Sequence, residues 1–377
     1  MLYNLTIIIN GGSMITEITK LTPVLDFKYA KNFSYKESIF IDIETTGFSP
    51  ASSFVYLIGC AYYDGEQWTL IQWFAKSYES EVKVISAFLE FISKYKTLIS
   101  YNGIGFDLPY IKERCKKLNI PHSLDTVQHI DFYRVILPYK RFFRLNNLKQ
   151  KTIEEFLSIQ RQDKYNGSEL ISIYLQYLKT QDNNLIKLLL LHNHDDIKGL
   201  LSIIPMISYQ YIFNGKFNIQ NCMFDSLKLV NKLKQNEIIF ELQLNIPVPK
   251  RISFGNDIFY LTVFQDIVKI KIKIYHGELK YFYKNYKDYY YLPKEDTSIH
   301  KSVAFYVDKN FRTQAKAANC YSRKSGHFLP QYEDLFSPYF KIDYFDKNMY
   351  FELTEEILSD YTLLKKYILH ILSHFQH

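Results

Sequence analysis

Four acidic residues in this chain stand where an acid needs a reason: Asp42 and Glu44 in SIFIDIETTG, Asp107 at the end of YNGIGFD, and Asp196 in LIKLLLLHNHDDIKGLLSII. Side chains two apart on a strand share a face. Asp42 and Glu44 therefore stand together at the end of an apolar run, where they repel unless a cation lies between them. Leu185, Leu189, His192, Asp196, Leu200 and Ile203 step by three and four and form one helical stripe. Two ionisable groups interrupt that apolar face, and a buried carboxylate needs a partner or a metal. Asp107 precedes a helix, where a lone Asp is an ordinary N-cap. Its claim to chemistry is topological, because the helix after the fourth strand of such a sheet starts beside the first strand.

Hard oxygen donors without cysteine select Mg2+ or Mn2+. Two such ions can clamp the attacking and leaving oxygens of an in-line phosphoryl displacement. The expected chemistry is phosphodiester hydrolysis, with Asp42, Glu44, Asp107 and Asp196 holding two divalent ions. His192 shares the face of Asp196 and ordinarily titrates near neutrality, which suits it to take the proton of the attacking water. Asp195 and His194 point off the stripe and are expected in solvent.

The elements that must position these groups are legible as patterns. SIFIDIETTG reads as a buried strand, and FVYLIGCAYY and QWTLIQWFA flank Asp64-Gly65, a hairpin signal. A helix is expected from Glu79 to Lys94, with Val82, Ile85, Phe88, Leu89 and Ile92 on one face. TLISY follows as a strand, then a helix containing Pro109 and reaching Leu118, a short strand ending at Asp131, and a long helix from Asn184 to Ile204 closed by Pro205. Three antiparallel strands, then strands joined through helices, make an α/β mixed sheet flanked by helices, the ribonuclease H-like arrangement. Beyond it, IIFELQLNIPV, DIFYLTVF, DIVKIKIKIY and ELKYFYKNY read as strands before a helix from Thr354 to Phe375, a β-rich α+β domain. The expected division is 1–35 as an N-terminal extension, 36–209 as the ribonuclease H-like domain and 210–377 as the β-rich C-terminal domain.

With 377 residues and 47% hydrophobic content, two domains can each bury a core. The net charge of +7 favours polyanions as partners. The 33 Tyr and 29 Phe suit base stacking, but an AT-rich coding bias accounts for them more simply. Four cysteines without CxxC spacing suggest neither a zinc knuckle nor a disulfide framework and fit a reducing cytoplasm. Leu2–Ile9 is too short an apolar run to span a bilayer, so no membrane is expected. Met14 offers an alternative start, leaving the first thirteen residues as an added strand or an annotation artefact.

These motifs resemble those of the DnaQ-like DEDD 3′ to 5′ exonuclease superfamily. DIETTG at 42–47 matches its first motif, and Asn102 with Phe106-Asp107 its second. The third departs: one subclass has Tyr four residues before the last Asp and another has His five before, whereas here His192 is four before Asp196 and Leu191 five. The ordered set, with YLIG, HIDFYR, NGSELISIYLQYL and HNHDDIKGL, is most similar to YprB-like ribonuclease H-like proteins over roughly 36–208. The resemblance implies metal-dependent exonuclease activity through Asp42, Glu44, Asp107 and Asp196, and contacts to the substrate terminus from Thr45, Thr46 and Asn102.

Between Asp131 and Glu154 lie Arg134, Lys140, Arg141, Arg144, Lys149 and Lys151. Such a run can follow a nucleic-acid backbone, with Arg141 and Arg144 as substrate contacts, or form a solvated helix face. Phe142 and Phe143 within it are expected in the core. KYFYKNYKDYYY suits single-strand binding, but an alternating edge strand with snorkelling lysines is the preferred reading. CYSRKSGH, from Cys320 to His327, has loop composition and no metal-ligand spacing. The expected function is a 3′ to 5′ exonuclease on single-stranded or frayed DNA or RNA. A nucleic-acid-binding module on a weakly active or inactive nuclease scaffold and a structure-specific endonuclease are the alternatives; protein partners and oligomeric state stay open.

Overall fold

The computed structural model describes residues 6–22, 29, 34–228 and 234–374. Leu2 and Phe375, named above as the start of an apolar run and a helix end, lie outside them. The chain forms two compact units, Met1–Ser208 and Tyr209–His377.

The first unit is built on strands β1 (Thr6–Gly11), β2 (Met14–Lys20), β3 (Ser38–Thr45), β4 (Val55–Tyr63), β5 (Trp68–Ala75), β6 (Thr97–Ser100) and β7 (Gln128–Asp131), in the order β1-β2-β5-β4-β3-β6-β7. β6 pairs parallel to β3, and β7 parallel to β6. The other pairings are antiparallel. The hairpin β1–β2 falls in the expected N-terminal extension, yet β2 pairs with β5 from Met14 opposite Ala75 to Lys20 opposite Thr69.

All of β5 and most of β4 are buried, the mark of strands covered on both faces. The covering helices include α1 (Glu81–Ile92) and, after α2 (Asp107–Lys117), α3 (Phe132–Ile136), α4 (Lys140–Phe143) and α5 (Gln150–Phe156), the pair α6 (Gly167–Thr180) and α7 (Asn183–Ile203). Tyr174 of α6 stacks on Tyr56 of β4 with ring centroids 4.2 Å apart. On α1, Val84, Ile85, Phe88 and Ile92 face the core, whereas Val82, expected there, is exposed. Val84 takes its place because, at 100° per residue, it lies nearer than Val82 to the centre of the face set by Glu81, Ile85, Phe88 and Ile92, and Glu81 turns inward to meet Arg114. Phe142 and Phe143 are buried, as expected.

The second unit contains α8 (Gln210–Phe213) and a five-stranded sheet of β8 (Phe217–Lys228), β9 (Lys234–Leu244), β10 (Ile252–Gly255), β11 (Phe259–Phe264) and β12 (Ile267–Lys273). It continues with β13 (Tyr275–Phe282), β14 (Tyr289–Leu292), β15 (Thr297–His300), α9 (Lys301–Ala304), β16 (Thr313–Gln314), β17 (Tyr321–Gln331), β18 (Tyr339–Phe340) and β19 (Met349–Glu352). A four-stranded sheet runs β13-β17-β19-β18 and a three-stranded one β15-β14-β16. Two readings are corrected here. CYSRKSGH is strand from Tyr321 on, because β17 pairs with β13 from Tyr321 to Phe328. KYFYKNYKDYYY is not one edge strand but parts of β13 and β14, in different sheets, with Tyr283 stacked on Tyr289 at 4.3 Å across the turn. The final helix is broken at Asp360 into α10 (Glu355–Ser359) and α11 (Tyr361–Ser373).

Candidate metal centre

β3 carries Asp42 and Glu44 to its C-terminal end, where the register against β4 shifts between Glu44 and Thr45. Such a bulge re-aims the side chains beside it. Asn193, fully buried on α7, donates through Nδ2 to Asp42 Oδ2 at 2.8 Å, and its Oδ1 accepts from Gln72 Nε2 at 2.9 Å. Gly59 on β4 makes room for it, since a Cβ there would lie 2.0 Å from Asn193 Oδ1.

Asp107 sits in the first turn of α2, but it does not cap that helix. Its Oδ1 accepts from the Ile43 amide at 3.3 Å, so the carboxylate faces β3 between Asp42 and Glu44. The loop before it is fixed by Asp131 at the end of β7, which accepts from the Asn102 and Ile104 amides at 2.9 and 3.1 Å. That bracket holds Asn102 at a φ of 62°, a left-handed conformation to which asparagine is well suited.

α7 brings His192 and Asp196 against the same strand end. One ligand atom each from Glu44, His192 and Asp196 lie within 4.8 Å of one another. His192 Nε2 is 3.1 Å from Asp196 Oδ2 and 3.7 Å from Glu44 Oε1. Its other nitrogen, Nδ1, is 2.7 Å from Oδ2 of the buried Asp163. Arg161 Nη2 donates to Asp196 Oδ1 at 2.6 Å, and Nη1 donates to both oxygens of the buried Glu154 at 3.1 and 3.0 Å. Gly199 leaves the space that Glu154 fills; a Cβ there would lie 1.9 Å from Glu154 Oε1.

Asp195 is not in solvent, contrary to expectation. It is buried and accepts from the Gln162 and Asp163 amides at 2.6 and 2.8 Å, which pins the Arg161–Asp163 segment against α7. His194 is half-buried and lies 3.2 Å from Asp195. Thr45 donates to the Gly47 carbonyl and Thr46 accepts from the Phe54 amide, so both hydroxyls shape the turn after β3. Arg141 on α4 and Arg144 just after it are exposed, Arg144 in the left-handed conformation.

The electrostatics describe a site with surplus acid. Burial and the neighbouring carboxylates of Asp196, Glu44 and Asp107 push Asp42 well above its usual range. Burial raises Glu44 to about 8 despite His192, and Asp107 to about 7 despite the amides bonded to it. Asp196 moves the other way: burial alone would raise it, but His192 and Arg161 hold it down. Burial alone would lower His192; the hydrogen bond to Asp196 and the charges of Glu44 and Asp163 carry it to about 9. Beside the Arg161 guanidinium on Asp196, the acids also draw a proton onto the imidazole. An oxygen-rich cluster left in that condition fits a divalent cation, which would relieve the same repulsion.

Sequence reasoning missed Asn193, Gln72, Arg161, Asp163 and Glu154. The signals for two of them were glycines inside regular elements: Gly59 in a strand for Asn193, and Gly199 in an otherwise strong helix for Glu154, where glycine costs about 1 kcal/mol relative to alanine and so asks for a packing reason.

Residues 39–207 match the RNase_H_2 family, described as the RNase_H superfamily. The chain is 27% identical over 178 residues to the uncharacterized protein YprB of Bacillus subtilis (strain 168), across 46% of this chain and 42% of that protein. It thus spans less than half of that relative's length. Among solved structures, the family B DNA polymerase from the hyperthermophilic archaeon Pyrobaculum calidifontis is similar at 18% identity and a TM-score of 0.38, covering 47% of this chain and 26% of the polymerase. No described helix is long and apolar enough to cross a membrane.

Proposed function

We propose that this chain, a YprB-like ribonuclease H-like protein over residues 39–207, is a metal-dependent nuclease that removes nucleotides from the 3′ ends of single-stranded or frayed nucleic acid. The observation that carries this reading is the convergence of Glu44, His192 and Asp196 within 4.8 Å at the strand end that also presents Asp42. Two divalent ions, Mg2+ or Mn2+, would be held by Asp42, Glu44, Asp107 and Asp196 and would supply charge stabilisation at the phosphorus and an acidified water.

The protein's own groups do the positioning. Asn193 orients Asp42, the Ile43 amide orients Asp107, and Arg161 orients Asp196. Asp163 on Nδ1 directs Nε2 of His192 toward Glu44 and Asp196. The imidazole accepts a proton only when neutral, so its work as a base requires that the acids be neutralised by something other than its own proton. Thr45, Thr46 and Asn102 border the site as contacts for the substrate terminus, and exposed Arg141 and Arg144 suit phosphates. In the second unit, exposed Phe305 and Tyr306, followed in the chain by exposed Lys309, offer stacking and charge for a single strand.

The test is a linear oligonucleotide labelled at its 5′ end, compared with a 3′-blocked copy and a closed circle. Stepwise shortening of the free end alone supports the exonuclease. Cutting of the circle would assign the same chemistry to an endonuclease.

A further inference from the structure

We propose that a groove on the far side of α7 from the metal centre holds a stretch of single-stranded nucleic acid, with Lys187 and Lys198 on its phosphates. Lys187, Leu191, His194 and Lys198 step by four, three and four, so they share one face of the helix, turned away from His192 and Asp196. That face forms one wall of a cavity of about 390 Å³ within the first unit. Its floor is the sheet, where Glu17 of β2 stands directly opposite Gln72 of β5 and both line the cavity.

The cations of this groove are uncompensated. Neither the exposed Lys187 nor the half-buried Lys198 has an ion pair or hydrogen bond at its ammonium among the described residues. Glu17 is the one acid on the lining among those residues, and burial raises its carboxyl above the usual range, which weakens its opposition to an anion. Three helical turns separate the two lysines, about 16 Å along the axis. A span of that length suits a linear polyanion with a phosphate at each end better than a single phosphate group.

Between the cations the lining changes to groups that suit bases. Leu190 and Leu191 give an apolar strip. Gln72 is fixed in the floor, its Nε2 donating to the Leu190 carbonyl at 3.0 Å and to Asn193 Oδ1 at 2.9 Å. Asp195 holds the Gln162 amide at 2.6 Å and lies 3.2 Å from Nδ1 of His194, which leaves the Nε2 edge of that ring for a ligand. Apolar strips with amide and imidazole groups meet the faces and edges of unstacked bases, which a duplex hides. The walls are preformed, so the ordering cost of binding falls mainly on the strand. The choice of nucleic acid as partner rests on the nuclease reading, but binding in this groove needs neither metal nor cleavage. The competing account is a solvated helix face whose lysines touch no ligand.

Fluorescence anisotropy of the full chain with a labelled single-stranded oligonucleotide, in EDTA and over a range of KCl, decides between them. Lys187→Gln combined with Lys198→Gln is expected to weaken binding and to make the slope of log affinity against log salt shallower by about 1.4, two phosphate contacts at about 0.7 each. Lys187→Arg combined with Lys198→Arg is expected to keep the parent slope. Hydrolysis of a dinucleotide in Mn2+, too short to reach across α7 from the metal centre, is expected to run at the parent rate in the glutamine variant. Circular dichroism checks that the variants are folded. Equal affinity and slope in the parent and the glutamine variant would overturn the groove. A comparable loss of slope with a duplex of the same length would overturn its preference for single strands. If no protein cleaves any substrate, the nuclease reading fails and the salt slope still decides the groove.

Discussion

His192 Nδ1 lies 2.7 Å from the buried carboxylate of Asp163, and this one bond decides which nitrogen of the ring meets the acidic cluster. A carboxylate on Nδ1 fixes the Nδ1–H tautomer and leaves Nε2 for Glu44 and Asp196. His192→Ala is expected to slow the chemical step by about 10²–10⁴-fold if the imidazole is the general base. Asp163→Ala, which keeps the ring but frees it, is expected to cost about 10–100-fold. Single-turnover rates read both, and ring 15N shifts of His192 report the tautomer. A near-normal rate in His192→Ala would give the base role to another group.

Asn193 joins Asp42 to Gln72, and the space it needs is provided by the missing side chain of Gly59. Gly59→Ala puts a Cβ 2.0 Å from Asn193 Oδ1, so the amide must move and Asp42 loses its donor. The expected cost is about 1–3 kcal/mol of overpacking, read by urea unfolding, together with weaker binding of Mn2+. An unaltered midpoint and unaltered Mn2+ affinity would show that Asn193 is dispensable to Asp42.

Glu81 and Arg114 form a buried pair, with Nη2 to Oε2 at 2.5 Å, and Glu81 also accepts from the Val55 amide at 2.8 Å. Glu81→Ala leaves a buried guanidinium without its counter-charge, an expected loss of about 3–5 kcal/mol. The double replacement of Glu81 and Arg114 by methionine is expected to recover part of that loss, because no charge is then stranded. Equal stability of the single and double variants would argue against a stranded charge.

Asp64 anchors the β4–β5 hairpin by accepting from the Glu66 and Gln67 amides and from Thr69, beside Lys20. Partial burial works against ionisation, but these bonds hold the carboxyl below its ordinary value. A folded pKa below the unfolded value of about 3.9 contributes stability above that value and loses it as pH falls through the folded pKa. The stability gap between the parent and Asp64→Asn is therefore expected to be full at pH 7 and to shrink on acidification below about pH 4. A gap that is constant with pH would remove the ionised form from the explanation.

The periodic parts of this molecule were legible before its structure. Asp42 and Glu44 follow from alternation on a strand, and His192 with Asp196 from a helical stripe, because both patterns repeat within a few residues. The supports were not legible, since Arg161 and Asp163 lie on an irregular segment that touches α7 only through long-range bonds. Asp195 misled for a related reason. Helical phase turns it away from the stripe, but phase does not say whether solvent or another segment waits there. The same blindness to pairing hid strand β17 inside a loop-like composition.

The most direct test of the account is cleavage of an end-labelled oligonucleotide by the purified chain with Mg2+ or Mn2+, beside a chelated control and the variants Asp42→Ala and Asp196→Ala. The expected result is metal-dependent shortening that is abolished in both variants while they remain folded. Equal cleavage by the parent and both variants would contradict the carboxylate centre, and binding of the oligonucleotide without any metal-stimulated cleavage would contradict the nuclease.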